Sequence, residues 1–374
     1  MLRLLPARER RGRMVPDPVL HHRIRPNFSG IVQGHPYRAN SLGLRDREYP
    51  VPPPPGTFRI LMLGDSFTEG GGLAVEDTVP RRAEARLAAR GCRGHEVVNA
   101  GVASYSPILQ YLQLREIGPR LQPHLVVLNF DMTDVHDDLI RSYIARRDDD
   151  DLPIAVPADR RRETALLLPP VRKPRRLRFL RHAERVLNEM VLYQQFRKSR
   201  VGRRLFGPLN LGPDDLFRQG LLGHVRYDRL AITRDRDSAS IRRGWRRTGR
   251  YLAAIRKLAA SQGAGFALVV YPHAHQVSAT ASPGGRYVFG IGPSLFASER
   301  PFEALRRIGS QAGFPVIDVR EAFRRRAEDA DELFRADDIH HTPEGARVLG
   351  EALADGLVER RLLPRCAVSP GGSG

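Results

Sequence analysis

Residues 58–72 read FRILMLGDSFTEGGG. The first six form a short apolar run of β-compatible side chains that stops abruptly at Gly64-Asp65-Ser66, the pattern of a buried strand ending in a tight turn. Open parallel α/β sheets collect ligands beyond the carboxyl ends of their strands, and glycine there lets backbone approach a substrate closely. Ser66 is therefore the candidate nucleophile. The same tripeptide also suits an ordinary strand exit whose polar side chains satisfy local amides, so this stretch alone leaves both readings open.

A serine hydroxyl needs a base to act near neutral pH, usually a histidine oriented by a third group. Residues 333–349 read LFRADDIHHTPEGARVL: Asp337 and Asp338 precede His340 by three and two positions, and residues 342–345 open a helical pattern. The pairing of Gly64-Asp65-Ser66-Phe67-Thr68 with Asp337-Asp338-Ile339-His340 resembles the SGNH/GDSL hydrolase family. The resemblance implies Ser66 as nucleophile, His340 as base and an aspartate of the last block as the third member. The commoner spacing of three selects Asp337, the expected partner; an Asp-x-His-x-Thr arrangement selects Asp338.

The chain has 374 residues, 41% hydrophobic and 28% charged, enough for a full α/β core with an insertion. Its formal charge of +19 rests on 61 Lys+Arg, among which only Lys173, Lys198 and Lys257 are lysines. Arginine used so broadly beside Ala, Gly and Pro points to a GC-rich coding bias as much as to a polyanionic partner, although strong basicity favours adhesion to nucleic acid or anionic membrane. No zinc-ligand spacing or RNA-recognition signature accompanies it, so specific nucleic-acid binding is not expected.

Cys92 and Cys366 lie far apart, the second in a Gly/Ser/Pro tail, and imply no disulfide framework. The redox compartment stays open. Residues 1–14 are basic but lack the roughly 7–15 apolar residues of a signal-peptide core, and no run of about 18 apolar residues occurs. As written, the expectation is a cytoplasmic protein. Residues 21–46 resemble the lead-in of bacterial SGNH proteins that carry an N-terminal anchor, and an anchor upstream would make it periplasmic or membrane-bound.

From residue 51 a VPPPPG connector leads into the core. Val79, Ala83 and Leu87 give a helix over 76–90, followed by a strand at 96–99, a βαβ unit. The strand runs into Ala100-Gly101-Val102-Ala103-Ser104, where the resemblance makes the Gly101 amide an oxyanion donor; Gly101 as a plain strand-to-helix turn explains the residue almost as well. A helix over 109–120 and a third strand at 124–130 follow. The family expects Asn-Asp just beyond, the asparagine amide being a further donor, and here Thr133-Asp134 stands in that place. Losing one donor can cost about 10²–10³-fold in rate. Three alternatives remain: Thr133 donates, Asn129 donates instead, or the amides of Ser66 and Gly101 act alone.

Residues 135–238 read as an insertion. Asp148 to Asp151 suit a solvated loop rather than a metal site, and residues 169–185 with the apolar stripe Leu180, Ala183, Leu187, Met190 and Val191 form a basic amphipathic pattern. Packing on its own domain is the favoured reading of that stripe, with peripheral contact to an anionic membrane the other. The core resumes with a helix over 240–262, a strand at 266–271 ending in Pro272-His273-Ala274-His275, a helix over 302–312, a strand at 316–319 and a closing helix over 344–357. The two histidines suit lining the cleft as well as ligating a metal. Five strands alternating with helices predict a three-layer α/β/α fold with a central five-stranded parallel sheet, as the family adopts.

The expected organisation is a lead-in (1–56), core (57–134), insertion (135–238), core (239–360) and flexible tail (361–374). The resemblance implies an esterase-type serine hydrolase acting through Ser66, His340 and Asp337 or Asp338, with an oxyanion hole from Ser66, Gly101 and Thr133. No metal or organic cofactor is expected, the substrate is a small-molecule or glycan ester, and the oligomeric state is open. An O-acyltransferase acting on a glycan and a catalytically silent binding protein of the same fold are the alternatives.

Overall fold

A computed structural model describes residues 12–158, 229–234, 237–289, 291–364 and 366. Four short strands come first, paired as antiparallel hairpins: β1 (Met14–Asp17) with β2 (His21–Ile24), and β3 (Ser29–Val32) with β4 (His35–Arg38). The core follows with β5 (Phe58–Gly64), α1 (Ser66–Glu69), α2 (Val79–Ala89), β6 (His95–Gly101), α3 (Pro107–Leu121), β7 (Leu125–Phe130) and α4 (Asp134–Arg141). After a small hairpin of β8 (Arg146–Arg147) and β9 (Pro153–Ala155), the chain continues through α5 (Ala239–Ser261), β10 (Gly265–Val270), α6 (Arg300–Ala312), β11 (Val316–Asp318) and α7 (Pro343–Glu359).

The five strands predicted from apolar runs make one parallel sheet in the order β11-β10-β7-β5-β6. Because side chains alternate across a strand, an unbroken apolar run must be covered on both faces. Leu61 and Leu63 of β5 join a cluster with Val98, Leu128 and Leu268 under α3 and α5. Their neighbours Ile60 and Met62 join another with Val97, Val127 and Val269 under α2 and α7. The result is the expected α/β/α sandwich. At about 25 cal/mol per Å² of apolar surface, these two buried layers dominate the stabilisation.

The N-terminal segment is not a loose lead-in. Arg45, about 1% exposed, stacks on the Tyr37 ring at 4.7 Å and donates to the carbonyls of Glu69, Gly70 and Leu73. The β3–β4 hairpin is thereby tied to the turn that follows Ser66. The expected insertion also begins inside the core, since residues 134–140 of α4 are buried and Thr248 Oγ1 of α5 donates to Asp138 Oδ2 at 2.7 Å. The apolar stripe at residues 180–191 lies outside the described residues.

The reading that Cys92 and Cys366 imply no bridge is corrected: they form a disulfide, with Cα atoms 4.2 Å apart. The physical reason is topological. α2 and α7 pack side by side and run in the same direction against the sheet, so Cys92 just past α2 meets Cys366 just past α7. Among the described residues, no helix is long and apolar enough to cross a membrane.

Candidate active site

Ser66 is the first residue of α1, immediately beyond the carboxyl end of β5. Asp65 caps this helix by accepting from Phe67 N–H at 2.9 Å, and Gly70 ends it in the left-handed region at φ 74°. The abrupt strand-to-helix turn exposes the serine hydroxyl at the sheet edge. His340, in the loop before α7, brings Nε2 to 2.8 Å from Ser66 Oγ.

Asp338 supports the imidazole, accepting at Oδ1 from His340 N–H at 2.8 Å and lying 3.1 Å from Nδ1. The expectation of Asp337 is corrected. Its carboxylate, 60% exposed, turns away to Arg335 at 3.1 and 3.2 Å. Burial would push the Asp338 carboxyl up, but the His340 ring and amide and the nearby Arg335 outweigh it and hold it down at about 2. It remains an anion across the neutral range. His341 does not face the serine: it is buried among Phe67, Tyr271, Phe323 and Phe334, and burial holds its imidazole down at about 3, hence neutral.

The expected oxyanion donors are arranged differently. Gly101 N–H is directed to Asn99 Oδ1 at 3.0 Å. Glycine is needed there for close packing, since a Cβ would stand 2.2 Å from Glu69 N. Thr133 gives both its amide (2.8 Å) and its hydroxyl (2.5 Å) to Asp131 Oδ1. Asn129 is turned inward, with Nδ2 donating to Thr68 Oγ1 at 2.9 Å. The single protons of Gly101 N–H and Thr133 Oγ1 are thus engaged, and Asn129 commits one of its two amide protons to Thr68.

The turn after β6 offers another donor, which the sequence reading did not single out. Val102 N–H bonds Gly64 O, Ala103 N–H bonds Glu69 Oε2 at 2.6 Å, and Tyr105 N–H bonds Val102 O. Between them sits Ser104 at φ 65°, whose amide bonds no acceptor among the described residues. Its carbonyl is gripped by Arg141, which also donates to Ser106 Oγ at 3.0 Å. The turn is further held by His22, which contacts Ala103 O through Nε2 at 2.8 Å, and by Tyr105 OH donating to His22 O at 2.6 Å. Burial holds His22 down at about 4, so it bonds as a neutral ring. Glu69, about 1% exposed, accepts from Tyr37 OH at 2.9 Å and pairs with Arg13. A signal was present in the sequence: Glu69 is an acid inside an otherwise apolar and glycine-rich turn.

Below Ser66 lies a buried polar cluster. Asp131 Oδ2 meets His273 Nε2 at 2.6 Å and Tyr271 OH at 2.9 Å. Burial acts to raise Asp131, yet His273 and Thr133 bring it below the ordinary carboxylate range. Asp65 goes the other way, raised by burial and then by the Asp131 charge. His275 Nε2 contacts Thr233 Oγ1 at 2.9 Å. Both histidines expected at this strand end thus line the buried side of the site, and among the described residues no group of three or more His, Cys, Asp or Glu has a metal-binding arrangement.

The model of the GDSL-like lipase/acylhydrolase family matches residues 62–348. A lipase/acylhydrolase from Enterococcus faecalis is similar in structure at 13% identity and TM-score 0.40, the alignment covering 81% of this chain and 97% of that one. A catalytic mutant of an acetylxylan esterase from Geobacillus stearothermophilus is similar at 12% identity and TM-score 0.37, covering 80% and 94%. A comparison with curated proteins finds no match.

Proposed function

The chain belongs to the GDSL-like lipase/acylhydrolase family and is an ester-hydrolysing enzyme, and on that premise we propose that it cleaves a carbohydrate or small-molecule O-acyl ester through Ser66, His340 and Asp338. The supporting observation is the unbroken hydrogen-bond chain from Ser66 Oγ to His340 Nε2 and from His340 Nδ1 to Asp338 Oδ1. In this reading Ser66 Oγ attacks the ester carbonyl carbon while His340 Nε2 takes its proton. Asp338 fixes the tautomer and stabilises the imidazolium that forms. The tetrahedral intermediate expels the alcohol, which receives the proton from His340, and water then resolves the acyl-enzyme by the same base.

The developing oxyanion is held by the backbone amide of Ser66 together with that of Ser104. This assignment follows from the hydrogen-bond accounting in the turn after β6, where the neighbouring amides already have acceptors. A left-handed residue at 104 redirects its N–H out of the ladder.

A fluorophosphonate probe should label Ser66, found by mass spectrometry of the labelled peptide. Ser66→Ala and His340→Ala should each lower hydrolysis of a short-chain p-nitrophenyl ester by at least about 10⁴-fold with unchanged circular dichroism. Unlabelled Ser66 in active, folded protein would overturn the assignment. A ladder of acyl chain lengths on the same reporter then defines the acyl group.

A further inference from the structure

A second concave site lies between α5 and α6, on the β10–β11 side of the sandwich. It encloses about 740 Å³, within the roughly 300–1,000 Å³ typical of ligand pockets. The hollow has a sequence cause. Along α5, Trp245, Gly249 and Ala253 recur at four-residue spacing, and along α6 Ala304, Ile308 and Ala312 do the same. The small residues Gly249, Ala253, Ala304 and Ala312 on the facing stripes leave the space between the helices unfilled: a Cβ added at Gly249 would only just touch Ile308, at 3.4 Å.

The rim carries Arg242, Arg246, Arg256, Lys257 and Arg307, and among the described residues no Asp or Glu lines the groove. An arginine-rich composition does not account for this. Elsewhere on the described surface arginines are largely engaged: Arg86 with Asp355, Arg320 with Asp318 and Glu299, Arg347 with Glu344 and Glu351. In the groove Arg242 meets Asp237 at 2.5 Å, whereas Arg246, Arg256, Lys257 and Arg307 have no hydrogen bond or ion pair among the described residues. Unpaired like charges gathered around one concavity repel each other when it is empty and attract an anion into it.

We propose that this groove binds an acidic oligosaccharide, a linear polyanion bearing carboxylates, apart from the ester chemistry at Ser66. Guanidinium groups pair with carboxylates bidentately. Trp245 adds a flat apolar surface: it is half-buried, and its ring lies nearly parallel to that of Phe130, 12° off and 6.2 Å away, which fixes its orientation. A sugar ring stacks on such a surface while its carboxylate reaches the rim. The single aromatic that lines the groove among the described residues is poor provision for single-stranded nucleic acid, which stacks successive bases on several. A membrane surface would require apolar side chains that project outward, and Trp245 and Ile308 instead line the hollow.

Trp245 is the one tryptophan of the chain, so intrinsic fluorescence reports on the groove directly. Titration of the full chain with a short polygalacturonate should give a saturable fluorescence change that weakens with salt. Arg246→Glu combined with Arg307→Glu, both at exposed positions, should weaken binding by about tenfold or more and leave p-nitrophenyl ester hydrolysis unchanged. That retained activity also shows that the variant is folded. Arg307→Gln alone should give a smaller loss in the same direction. Ser66→Ala should bind like the parent, which separates this site from the catalytic assignment. No fluorescence change, an equal response to a neutral oligosaccharide, undiminished binding by the charge-reversed variant, or a stronger response to an RNA oligomer or anionic vesicles would each overturn the proposal.

Discussion

His340 Nε2 stands 2.8 Å from Ser66 Oγ across 274 positions of sequence, and the same ring turns its other nitrogen to Asp338, not to Asp337. The two adjacent aspartates should therefore separate cleanly in kinetics. Asp338→Asn should lower kcat by up to about 10⁴-fold, the scale of a lost tautomer anchor. Asp337→Asn should change it little, since removing an exposed pairing with Arg335 is worth at most a few tenths of a kcal/mol. Steady-state kinetics on both variants checks this, and equal losses would contradict it.

Thr133 offers a second test, because its hydroxyl serves Asp131 in the structure and not a substrate oxygen. Thr133→Val should lower stability by about 1.5–3 kcal/mol, the worth of a hydrogen bond to a buried charge, while kcat changes less than about tenfold. Chemical denaturation beside activity separates the two effects. A loss of about 10²–10³-fold in kcat at unchanged stability would instead return Thr133 to the oxyanion hole.

Asp138 gives a pH dependence with a definite sign. It is fully buried, accepting from Ile108 N–H at 2.9 Å and Thr248 Oγ1 at 2.7 Å, and burial pushes its carboxyl up to about 7 from an ordinary 3.8. The folded state then holds this proton more tightly than the unfolded chain does. The stability it contributes is complete below about pH 4 and is lost as pH rises from there through about 7. Asp138→Asn should be relatively more stable at pH 8 than at pH 4, by a few kcal/mol at most at about 1.36 kcal/mol per unit. Urea denaturation of parent and variant at both values measures it.

Reduction of the Cys92–Cys366 bond should destabilise the fold by about 2–5 kcal/mol and leave the turnover of folded molecules close to that of the oxidised protein. Neither cysteine lies beside Ser66 or His340, so a parallel loss of kcat at low temperature would show an unexpected coupling. Cys366→Ser provides the same comparison without a reductant.

The sheet was legible in the sequence because each of its strands is an apolar run broken by Gly, Pro or a polar turn, and because Ser66 and His340 sit in short blocks at opposite ends of the chain. The N-terminal hairpins were not. Their four-residue strands lack a clear alternation and turn at non-glycine residues with positive φ, His21 and Gln33. The aspartate choice was hidden for a tertiary reason: the Asp337-Asp338 backbone packs directly on Gly284 and Gly285, where a Cβ would fall 2.4 Å from Asp337 O and 2.9 Å from Asp338 O, and Ser282 Oγ donates to Asp338 O. A contact across more than fifty residues decides which carboxylate turns inward. The family resemblance makes Gly101 the donor, whereas the amide left without an acceptor among the described residues lies three residues further on, at a serine in a glycine-like conformation.

The disulfide closes residues 92–366 into a covalent ring, with Ser66 on the arm outside it and His340 within it. A single peptide-bond cleavage anywhere between Cys92 and Cys366 therefore opens the ring without releasing a fragment, and Ser66 and His340 stay on one molecule. A cut between Ser66 and Cys92 divides them into separate chains held only by the packing of the sheet. The same protease nick has opposite consequences on the two sides of Cys92, and electrophoresis with and without reductant tells them apart.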